Sequence, residues 1–409
     1  MNKKIAVIGG GAAGMTAAGT AFNAGADVTL FEKNDRLGKK LGITGKGRCN
    51  LTNNCSTDEF LKNVPVNPKF LYTAINNFSP SDTMNFFEYL GVPLKTERGN
   101  RVFPVSDKAF DIVEALRKFA ECKIIKENVI NLIIDNNIVT GAETNNGKYN
   151  FDAVIICTGG MSYPMTGSTG DGYKFARGAG IEVTPLTPSL VPVTIDEPWC
   201  KELQGLSLKN VNVKIINKNS KKTVYSDFGE LMFTHFGVSG PTILSASAHI
   251  KDIKPNLYKL IIDLKPALEY KTLDKRILLD FNKFLNKNFS NALDDLLPQK
   301  LIPLIIKLSG IDPYKKINAV TQDERKSLVD LIKGLSLSPR GFRPIDEAVI
   351  TSGGVSVNEL DPKTMMTKKI KNLYFAGEVI DVDASTGGFN LQIAFSTARL
   401  AAESACYSK

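Results

Sequence analysis

The hydrophobic pattern of the first 32 residues has a strand–helix–strand order. A short apolar run at 4–8 is followed at once by Gly9-x-Gly11-x-x-Gly14. Residues 12–24 have the small and apolar composition of a helix packed on a sheet, and 27–31 form a second apolar run. This order predicts the first βαβ unit of a Rossmann-type, dinucleotide-binding α/β domain.

Each glycine of the motif has a predicted mechanical role. Gly9 permits the tight turn from strand to helix, Gly11 lets a pyrophosphate approach the backbone, and Gly14 lets the helix pack closely on the strand. Glu32 ends the second strand, 18 residues after Gly14. This spacing is close to the ~20 residues expected for a carboxylate that binds a ribose hydroxyl pair.

Two later apolar strands also end in glycine. The run 151–157 is continuously apolar after Asp152 and leads into Thr158-Gly159-Gly160, which predicts a strand buried on both faces. The run 372–376 leads into Gly377-Glu378, and Ser385-Thr-Gly-Gly-Phe-Asn390 opens a last helix. The three glycine-bearing ends predict one site along a parallel sheet, with a helix N-terminus at Gly387-Gly388 near the negative end of a reduced flavin. The first and last segments of the chain must combine to form this site. The pattern therefore favours an FAD-binding flavoprotein over a simple nicotinamide dehydrogenase.

The middle of the chain has a different pattern. Residues 123–125, 129–134 and 138–144 predict a small antiparallel insertion. From about residue 188, strands such as Val211, Val213 and Ile215 alternate with polar positions, so one face is solvated. Ser239 is expected to cap a short helix that has Pro241 in its first turn. Residues 268–335 read as mostly helical and rich in Lys and Leu.

Composition and charge exclude only a few functional classes of protein. The chain has 409 residues and a net charge of +9, from 51 Lys and Arg against 42 Asp and Glu. Because the lysines look scattered, we expect a solvated surface rather than a nucleic-acid site. Six cysteines without C-x-x-C, and two distant histidines, predict no metal site and no dithiol centre. No apolar run approaches the ~20 residues of a membrane span, and a reducing cytoplasm fits.

Four motifs together resemble the BaiN-type FAD-dependent oxidoreductases, which are also labelled aminoacetone-oxidase-like flavoproteins. They are Gly-Lys-Gly-Arg-Cys-Asn-Leu-Thr-Asn (45–53), Thr-His-Phe-Gly-Val-Ser-Gly-Pro (234–241), Ser-Gly-Gly-Val (352–355) and Phe-Ala-Gly-Glu-Val-Ile-Asp-Val-Asp-x-x-x-Gly-Gly-Phe-Asn (375–390). The resemblance covers nearly the whole chain. It implies a Rossmann-type FAD domain with a three-layer parallel sheet at 1–188 and 340–409, a β-barrel-like insertion at 189–265 and a helical insertion at 266–339.

The motifs and the resemblance together assign a set of residues to noncovalent FAD. These are Gly9, Gly11, Ala12, Ala13, Gly14, Glu32, Lys33, Lys40, Thr44, Gly45, Arg48, Cys49, Asn50, Val129, Thr158, Gly159, Gly160, Gly377, Glu378, Asp381, Gly387, Gly388, Phe389, Asn390 and Leu391. Glu378 stands where the wider superfamily has Asp, so the carboxylate that holds the ribitol is either Glu378 or Asp381.

Three residues are candidates for catalysis. His235 suits a proton donor, because imidazole is the side chain most often used for proton transfer, although a structural role is the main alternative. Tyr163 suits donation to a carbonyl oxygen or a pocket wall, and Arg48 suits a flavin or substrate anion. Cys49 lacks the neighbouring cysteine of a disulfide redox pair.

The expected reaction has two versions and one non-catalytic rival. The favoured version is NAD(P)H-dependent reduction of an activated C=C in a hydrophobic enone, such as a steroid or bile-acid ketone. The alternative is oxidation of a small amine with release of hydrogen peroxide, and the rival is a flavin-binding protein without turnover. Because no second G-x-G-x-x-G occurs, NAD(P)H is expected to dock only transiently, as NADH or as NADPH. The substrate is a small molecule, and the sequence leaves the oligomeric state open.

Overall fold

A computed structural model describes residues 2–250 and 252–407 of the chain. The strands are β1 Lys4–Ile8, β2 Asp27–Phe31, β3 Thr52–Asn53, β4 Leu94–Glu97, β5 Arg101–Pro104, β6 Lys123–Ile125, β7 Val129–Asp135, β8 Ile138–Thr144, β9 Gly147–Asn150, β10 Ala153–Ile156, β11 Thr187–Ser189, β12 Val193–Ile195, β13 Ser207–Asn217, β14 Thr223–Thr234, β15 Gly237–Ser239, β16 Tyr258–Asp263, β17 Leu335–Leu337, β18 Pro339–Phe342, β19 Ile350–Ser352 and β20 Leu373–Phe375. The α-helices are α1 Ala12–Asn23, α2 Lys39–Ile43, α3 Thr57–Lys62, α4 Tyr72–Asn77, α5 Pro80–Tyr89, α6 Ala109–Phe119, α7 Asp171–Gly178, α8 Pro241–Ser247, α9 Tyr270–Lys283, α10 Ile302–Ser309, α11 Gln322–Lys333 and α12 Phe389–Tyr407.

These elements form two compact units. One unit comprises 1–189 and 344–409, and the other comprises 190–343. We call them the dinucleotide unit and the inserted unit. Each unit has its own cluster of buried apolar residues, as expected for chains too long for one core.

The dinucleotide unit is built on a five-stranded parallel sheet with the order β20-β10-β1-β2-β6. Ile5 pairs with Ala153 and Val28, and Ile156 pairs with Phe375, so strands from both chain ends lie side by side. Every residue of β10 is buried, as its continuous apolar run predicts. The predicted Rossmann-type fold from both chain ends is therefore confirmed.

The prediction that 123–125 belongs to an antiparallel insertion is wrong. This segment is β6, which runs parallel to β2 and pairs Ile125 with Phe31 at the edge of the main sheet. Three residues are too few to display a period, so only the tertiary pairing distinguishes the two arrangements. The separate antiparallel sheet contains β7, β8 and β9, and Val129 pairs there with Thr144.

The inserted unit contains an antiparallel sheet with the order β17-β16-β13-β14-β15-β12-β18. Strands β17 and β18 stand at opposite ends of this order, yet only Ser338 separates them in the chain. Leu337 pairs with Leu260, and Pro339 pairs with Ile195, so the sheet must curl until its two edges nearly meet. The arrangement is barrel-like, but β17 and β18 lie outside the span 189–265 in which a barrel-like part was predicted.

Two expectations for the inserted unit need correction. Residues 335–342 are strands of the curled sheet, so the predicted helical segment 266–339 is wrong at its C-terminal end. Ser239 does not cap helix α8, because it lies in β15 and pairs with Met232. The N-cap is Gly240, which has a φ of +99° that suits glycine.

Positive charge is concentrated in the inserted unit. Residues 190–343 contain 24 Lys and Arg against 16 Asp and Glu, a net charge of +8. The dinucleotide unit contains the remaining 27 Lys and Arg against 26 Asp and Glu, a net charge of +1. The excess is therefore not scattered over the chain as the sequence analysis supposed.

Candidate functional site

The carboxyl ends of β1, β10 and β20 lie at one edge of the parallel sheet. Gly9, Thr158 and Gly377 each follow one of these strands closely. A Cβ placed on Gly377 would lie 2.9 Å from the Cβ of Ala13 in α1, and one on Gly160 would lie 2.8 Å from Oε1 of Glu378. The predicted meeting of the three glycine-bearing ends is thus observed within the dinucleotide unit.

The glycines of the first motif differ in what surrounds them. Gly9 has a φ of +105°, and a Cβ there would meet the backbone of Cys157. A Cβ on Gly14 would overlap the carbonyl oxygen of Gly9, whereas a Cβ on Gly11 would meet no heavy atom within 4 Å. Gly9 and Gly14 are therefore needed for packing, and Gly11 faces open space.

Helix α1 begins directly after Gly11, and no side chain caps its N-terminus. Its first backbone N–H groups, which belong to Ala12 and Ala13, have no carbonyl four residues earlier in the helix to bond. Unpaired N–H groups and the helix dipole together favour an anion at this position. The open space at Gly11 lies where such an anion would approach.

Glu32 ties the end of β2 to the glycine loop. Its Oε2 accepts a hydrogen bond from the Gly10 N–H at 2.8 Å, and its Oε1 accepts from the backbone and side-chain amides of Asn34 at 2.8 and 2.6 Å. The side chain is buried. Each carboxylate oxygen has further lone pairs, so the geometry leaves capacity for hydroxyl donors.

Lys40 and Glu378 join two predicted cofactor segments that are 338 residues apart. Lys40 Nζ lies 2.7 Å from Glu378 Oε2 and donates to Ser162 Oγ at 2.7 Å. Glu378 Oε1 also accepts from the Thr351 N–H at 3.0 Å. Helix α2, strand β19 and the loop after β10 therefore all contact the Glu378 carboxylate. Ser162 and Thr351 were missed because no local motif marks their partners.

The loop at 33–53 is held at several points. Lys33 Nζ pairs with Asp171 Oδ2 at 2.5 Å, and Thr44 Oγ1 donates to the Leu41 carbonyl at 2.6 Å. Gly45 has a φ of +57°, and Cys49 has a φ of +60° with its side chain fully buried. Burial raises the pKa of the Cys49 thiol to about 12, so it stays protonated and unreactive at neutral pH.

The N-terminus of α12 is packed against this same loop. Asn53 Nδ2 donates to the Gly387 carbonyl at 3.1 Å, and a Cβ on Gly388 would run into the backbone of Thr52. Asn390 holds the segment before the helix in place, since its Oδ1 accepts a hydrogen bond from the Ala384 N–H at 3.0 Å. Phe389 is buried against Phe60 in the core, and Leu391 is partly buried.

Two carboxylates follow Glu378 in the same segment. Burial raises the pKa of Asp381, and Asn67 Nδ2 donates to the backbone carbonyl of this residue at 2.7 Å. Asp383 is almost completely buried between Ser189 Oγ at 2.8 Å and Ser352 Oγ at 3.1 Å. Burial raises the pKa of Asp383 to about 6. Asp383 was not among the predicted site residues, although the motif at 375–390 contains it.

Two of the predicted cofactor residues have buried polar atoms without a partner. Thr158 Oγ1 and Asn50 Oδ1 form no hydrogen bond within the described residues. Buried polar atoms are normally paired, so such atoms indicate a group that binds there. Together with the open glycine loop and the uncapped α1, they fit a dinucleotide such as FAD.

The catalytic candidates lie in different surroundings. Tyr163 is 37% exposed and has a φ of +52° in the loop after β10. Arg48 stacks on Phe103 and pairs with Glu97 at 2.5 Å and Asp107 at 2.6 Å. These two carboxylates raise the pKa of Arg48 and already pair with its guanidinium group, so Arg48 is not available for a substrate anion. His235 is an exposed residue of the β14–β15 turn in the inserted unit.

Val129 lies apart from the strand ends just described, in the antiparallel sheet of β7, β8 and β9. Its side chain is 5% exposed and belongs to the core. Among the described residues, no helix is long and apolar enough to cross a membrane.

A solved structure shares this fold over almost its whole length. A 3-ketosteroid-Δ4-(5α)-dehydrogenase from Rhodococcus jostii RHA1, solved with 4-androstene-3,17-dione, superposes with a TM-score of 0.54. The match covers 99% of this chain and 97% of that chain at 15% identity, and it shows the fold alone.

Two curated relatives match nearly end to end. A 3-dehydro-bile acid Δ(4,6)-reductase from Clostridium scindens is 28% identical over 98% of both chains. A ribosomal RNA dihydrouridine synthase from Escherichia coli K12 is 31% identical over 96% of this chain and 95% of that protein. The model of the HI0933-like protein Rossmann domain matches residues 3–404. The chain therefore belongs to the HI0933-like Rossmann-domain family and is an FAD-dependent oxidoreductase.

Proposed function

We propose that this protein reduces a C=C bond that is conjugated with a carbonyl, with NAD(P)H as the electron donor. One observation carries the proposal: the two curated relatives are named for reactions of this one kind. A 3-oxo-Δ(4,6) steroid has C=C bonds in conjugation with its ketone. In uridine the C5=C6 bond is conjugated with the C4 carbonyl. Dihydrouridine is the product in which this bond has been saturated.

The residues at the strand ends would hold FAD. The α1 N-terminus and Gly11 would receive the pyrophosphate, and Glu32 would bind the adenosine ribose. Thr158 and Asn50 would donate to or accept from the flavin half, and Gly387 and Gly388 would aim the α12 N-terminus at it. Bound there, FAD would supply the hydride-transfer chemistry that connects a nicotinamide donor with the β-carbon of the acceptor.

The remaining requirement is a proton for the α-carbon and a donor to the carbonyl oxygen. Tyr163 suits this task because its side chain is partly exposed on the loop that follows β10. Arg48 does not suit it, since two carboxylates engage the guanidinium. The Lys40–Glu378 pair would keep the surrounding loops in place.

A hydrophobic enone is our first substrate class, in keeping with the bile-acid relative. A uracil ring in RNA is the second, and it is favoured by the relative at 31% identity and by the +8 charge of the inserted unit. Oxidation of a small amine remains the competing reaction. Reduction of cytoplasmic substrates by NAD(P)H fits the free cysteines.

Anaerobic half-reactions distinguish these activities. We expect NADH or NADPH to bleach the flavin, and we expect a steroid enone or a uridine-containing RNA to restore its colour. A matched mixture with a saturated steroid ketone is the control. Bleaching by a small amine but by neither nicotinamide, with peroxide formed on admitting air, would establish the oxidase instead. A purified protein that stays colourless after incubation with FAD would exclude both activities.

A further inference from the structure

A groove of about 860 Å³ lies on the curled sheet of the inserted unit. Its floor is the outward face of β13 and β16, where Lys214 is opposite Ile261 and Ile216 is opposite Lys259. The inward residues Val213 and Ile215 of the same strand are fully buried. The groove therefore uses the solvated face that the alternating pattern predicts.

One wall of the groove is the segment that leads into α9. Lys333 fixes this segment, because its Nζ pairs with Asp263 at 2.6 Å and donates to the carbonyls of Lys265 and Leu268 at 3.1 and 2.8 Å. The Lys333 side chain is 7% exposed, so this lysine is structural. The wall holds Tyr270 at the edge of the groove with its side chain 54% exposed.

The other lysines of the groove are unlike Lys333. Lys214, Lys259 and Lys271 are exposed, and within residues 2–250 and 252–407 none of them forms an ion pair. Lys214 and Lys259 are diagonal neighbours on adjacent strands and on the same face. The lining has four lysines against the two carboxylates Asp263, which pairs with Lys333, and Glu269, so it carries a net charge of +2. A net positive groove beside an exposed aromatic ring, on the unit with net charge +8, is complementary to a polyanion.

We propose that this groove, with Lys214, Lys259, Lys271 and Tyr270 as its contacts, binds single-stranded RNA. The lysines would contact successive phosphates, and Tyr270 would stack on a base. The groove is concave, and the apolar side chains of Ile216 and Ile261 lie on its floor between the lysines. This shape suits a single RNA strand better than a flat membrane surface. The inference rests on the second substrate class above, and it assigns RNA binding to a surface whose residues are separate from the FAD-binding set.

Fluorescence anisotropy with a short labelled single-stranded RNA tests the groove in the full-length, FAD-loaded protein. The double variant Lys214→Glu/Lys259→Glu should weaken binding on the order of tenfold or more. The slope of log K against log salt should become less steep by about 0.7 for each lost phosphate contact. Tyr270→Ala should weaken binding by about tenfold, and Tyr270→Phe should retain most of it.

The matched control is Lys307→Glu/Lys326→Glu, which makes the same charge change on exposed helix positions of the same unit. An equal loss in the control would overturn the groove as a specific site. The absence of RNA binding by the native protein, or binding of anionic phosphatidylserine vesicles in place of RNA, would also overturn it. Flavin bleaching by NAD(P)H is measured in parallel, because its loss would count against the proposed reductase and not against the groove.

Discussion

At the scale of single residues, the two glycines Gly11 and Gly14 separate cofactor binding from folding. A Cβ on Gly11 meets open space, and its φ of −83° is ordinary for any residue. A Cβ on Gly14 overlaps the Gly9 carbonyl. We therefore predict that Gly11→Val weakens FAD binding at least about tenfold with the apoprotein still folded. Gly14→Ala should instead lower the melting temperature of the apoprotein itself, and equal melting curves for the two variants would contradict this.

Glu32 supports both the glycine loop and the predicted ribose site. Glu32→Ala removes the acceptor for Gly10 and Asn34 and leaves their N–H groups unsatisfied, so it should lower both FAD affinity and apoprotein stability. Glu32→Gln keeps one carbonyl acceptor and should give intermediate values. Equilibrium dialysis of FAD and denaturation of the apoprotein measure the two effects separately. Unchanged flavin content in Glu32→Ala would contradict the ribose assignment.

Asp383 gives the apoprotein a distinctive pH dependence. Its pKa is about 6 in the folded protein against 3.8 as the ordinary value, so the folded state binds more protons between these limits. The free energy of unfolding should therefore fall as the pH rises from about 4 to above 6, by at most about 3 kcal/mol from this group. Asp383→Asn should remove this contribution and be more stable than the native chain at pH 7. A parallel pH profile for the variant, measured by urea denaturation, would show that Asp383 is not responsible.

At the scale of elements, the strands with long or distinctive patterns were predictable and the rest were not. The continuous run of β10 and the glycine motif after β1 define their places from local sequence. Lys123–Ile125 was misplaced, because three residues do not show whether their partner is β2 or a hairpin. Ser239 was misread as a cap, since its pairing with Met232 depends on the curled sheet.

In the candidate site, too, some features were predictable from local sequence and others depended on the folded structure. Gly11 and the ends of the three strands followed from spacing, whereas the partners of Lys40 did not. Glu378 lies 338 positions away in sequence, and Ser162 and Thr351 reach the same carboxylate from the loop after β10 and from β19. No local period encodes a contact of this kind, so only the folded topology reveals it.

The Lys40–Glu378 pair should couple these loops energetically. Its side chains are 22% and 21% exposed, so removal of either partner leaves a poorly hydrated charge. We predict that Lys40→Met and Glu378→Gln each destabilise the protein by about 1–3 kcal/mol. The double variant should lose less than the sum of the single variants by at least about 0.5 kcal/mol. Additive losses in urea denaturation would mean that the pair contributes no coupling.

At the scale of the whole molecule, chemistry and charge are divided between the two units. The predicted FAD residues all lie in 1–189 and 344–409, whereas 190–343 carries a net charge of +8 out of +9. This division is compatible with family relatives that are named for a steroid and for an RNA.

Hydrogen exchange tests whether the residues that bind FAD all belong to the dinucleotide unit. FAD at about 100 times its dissociation constant should stabilise the state that binds it by about 2.7 kcal/mol. We predict slower amide exchange upon FAD addition at 9–14, 158–160 and 387–391, and little change at 207–234 and 258–263, because the predicted contacts all belong to the dinucleotide unit. Gly11→Val provides the control, since a tenfold loss of affinity puts the same FAD concentration at about 10 times its dissociation constant and should reduce the stabilisation to about 1.4 kcal/mol. Equal protection of β13, β14 and β16 in the native protein would show that FAD also stabilises the inserted unit, and the assignment of its binding residues to one unit would then be wrong.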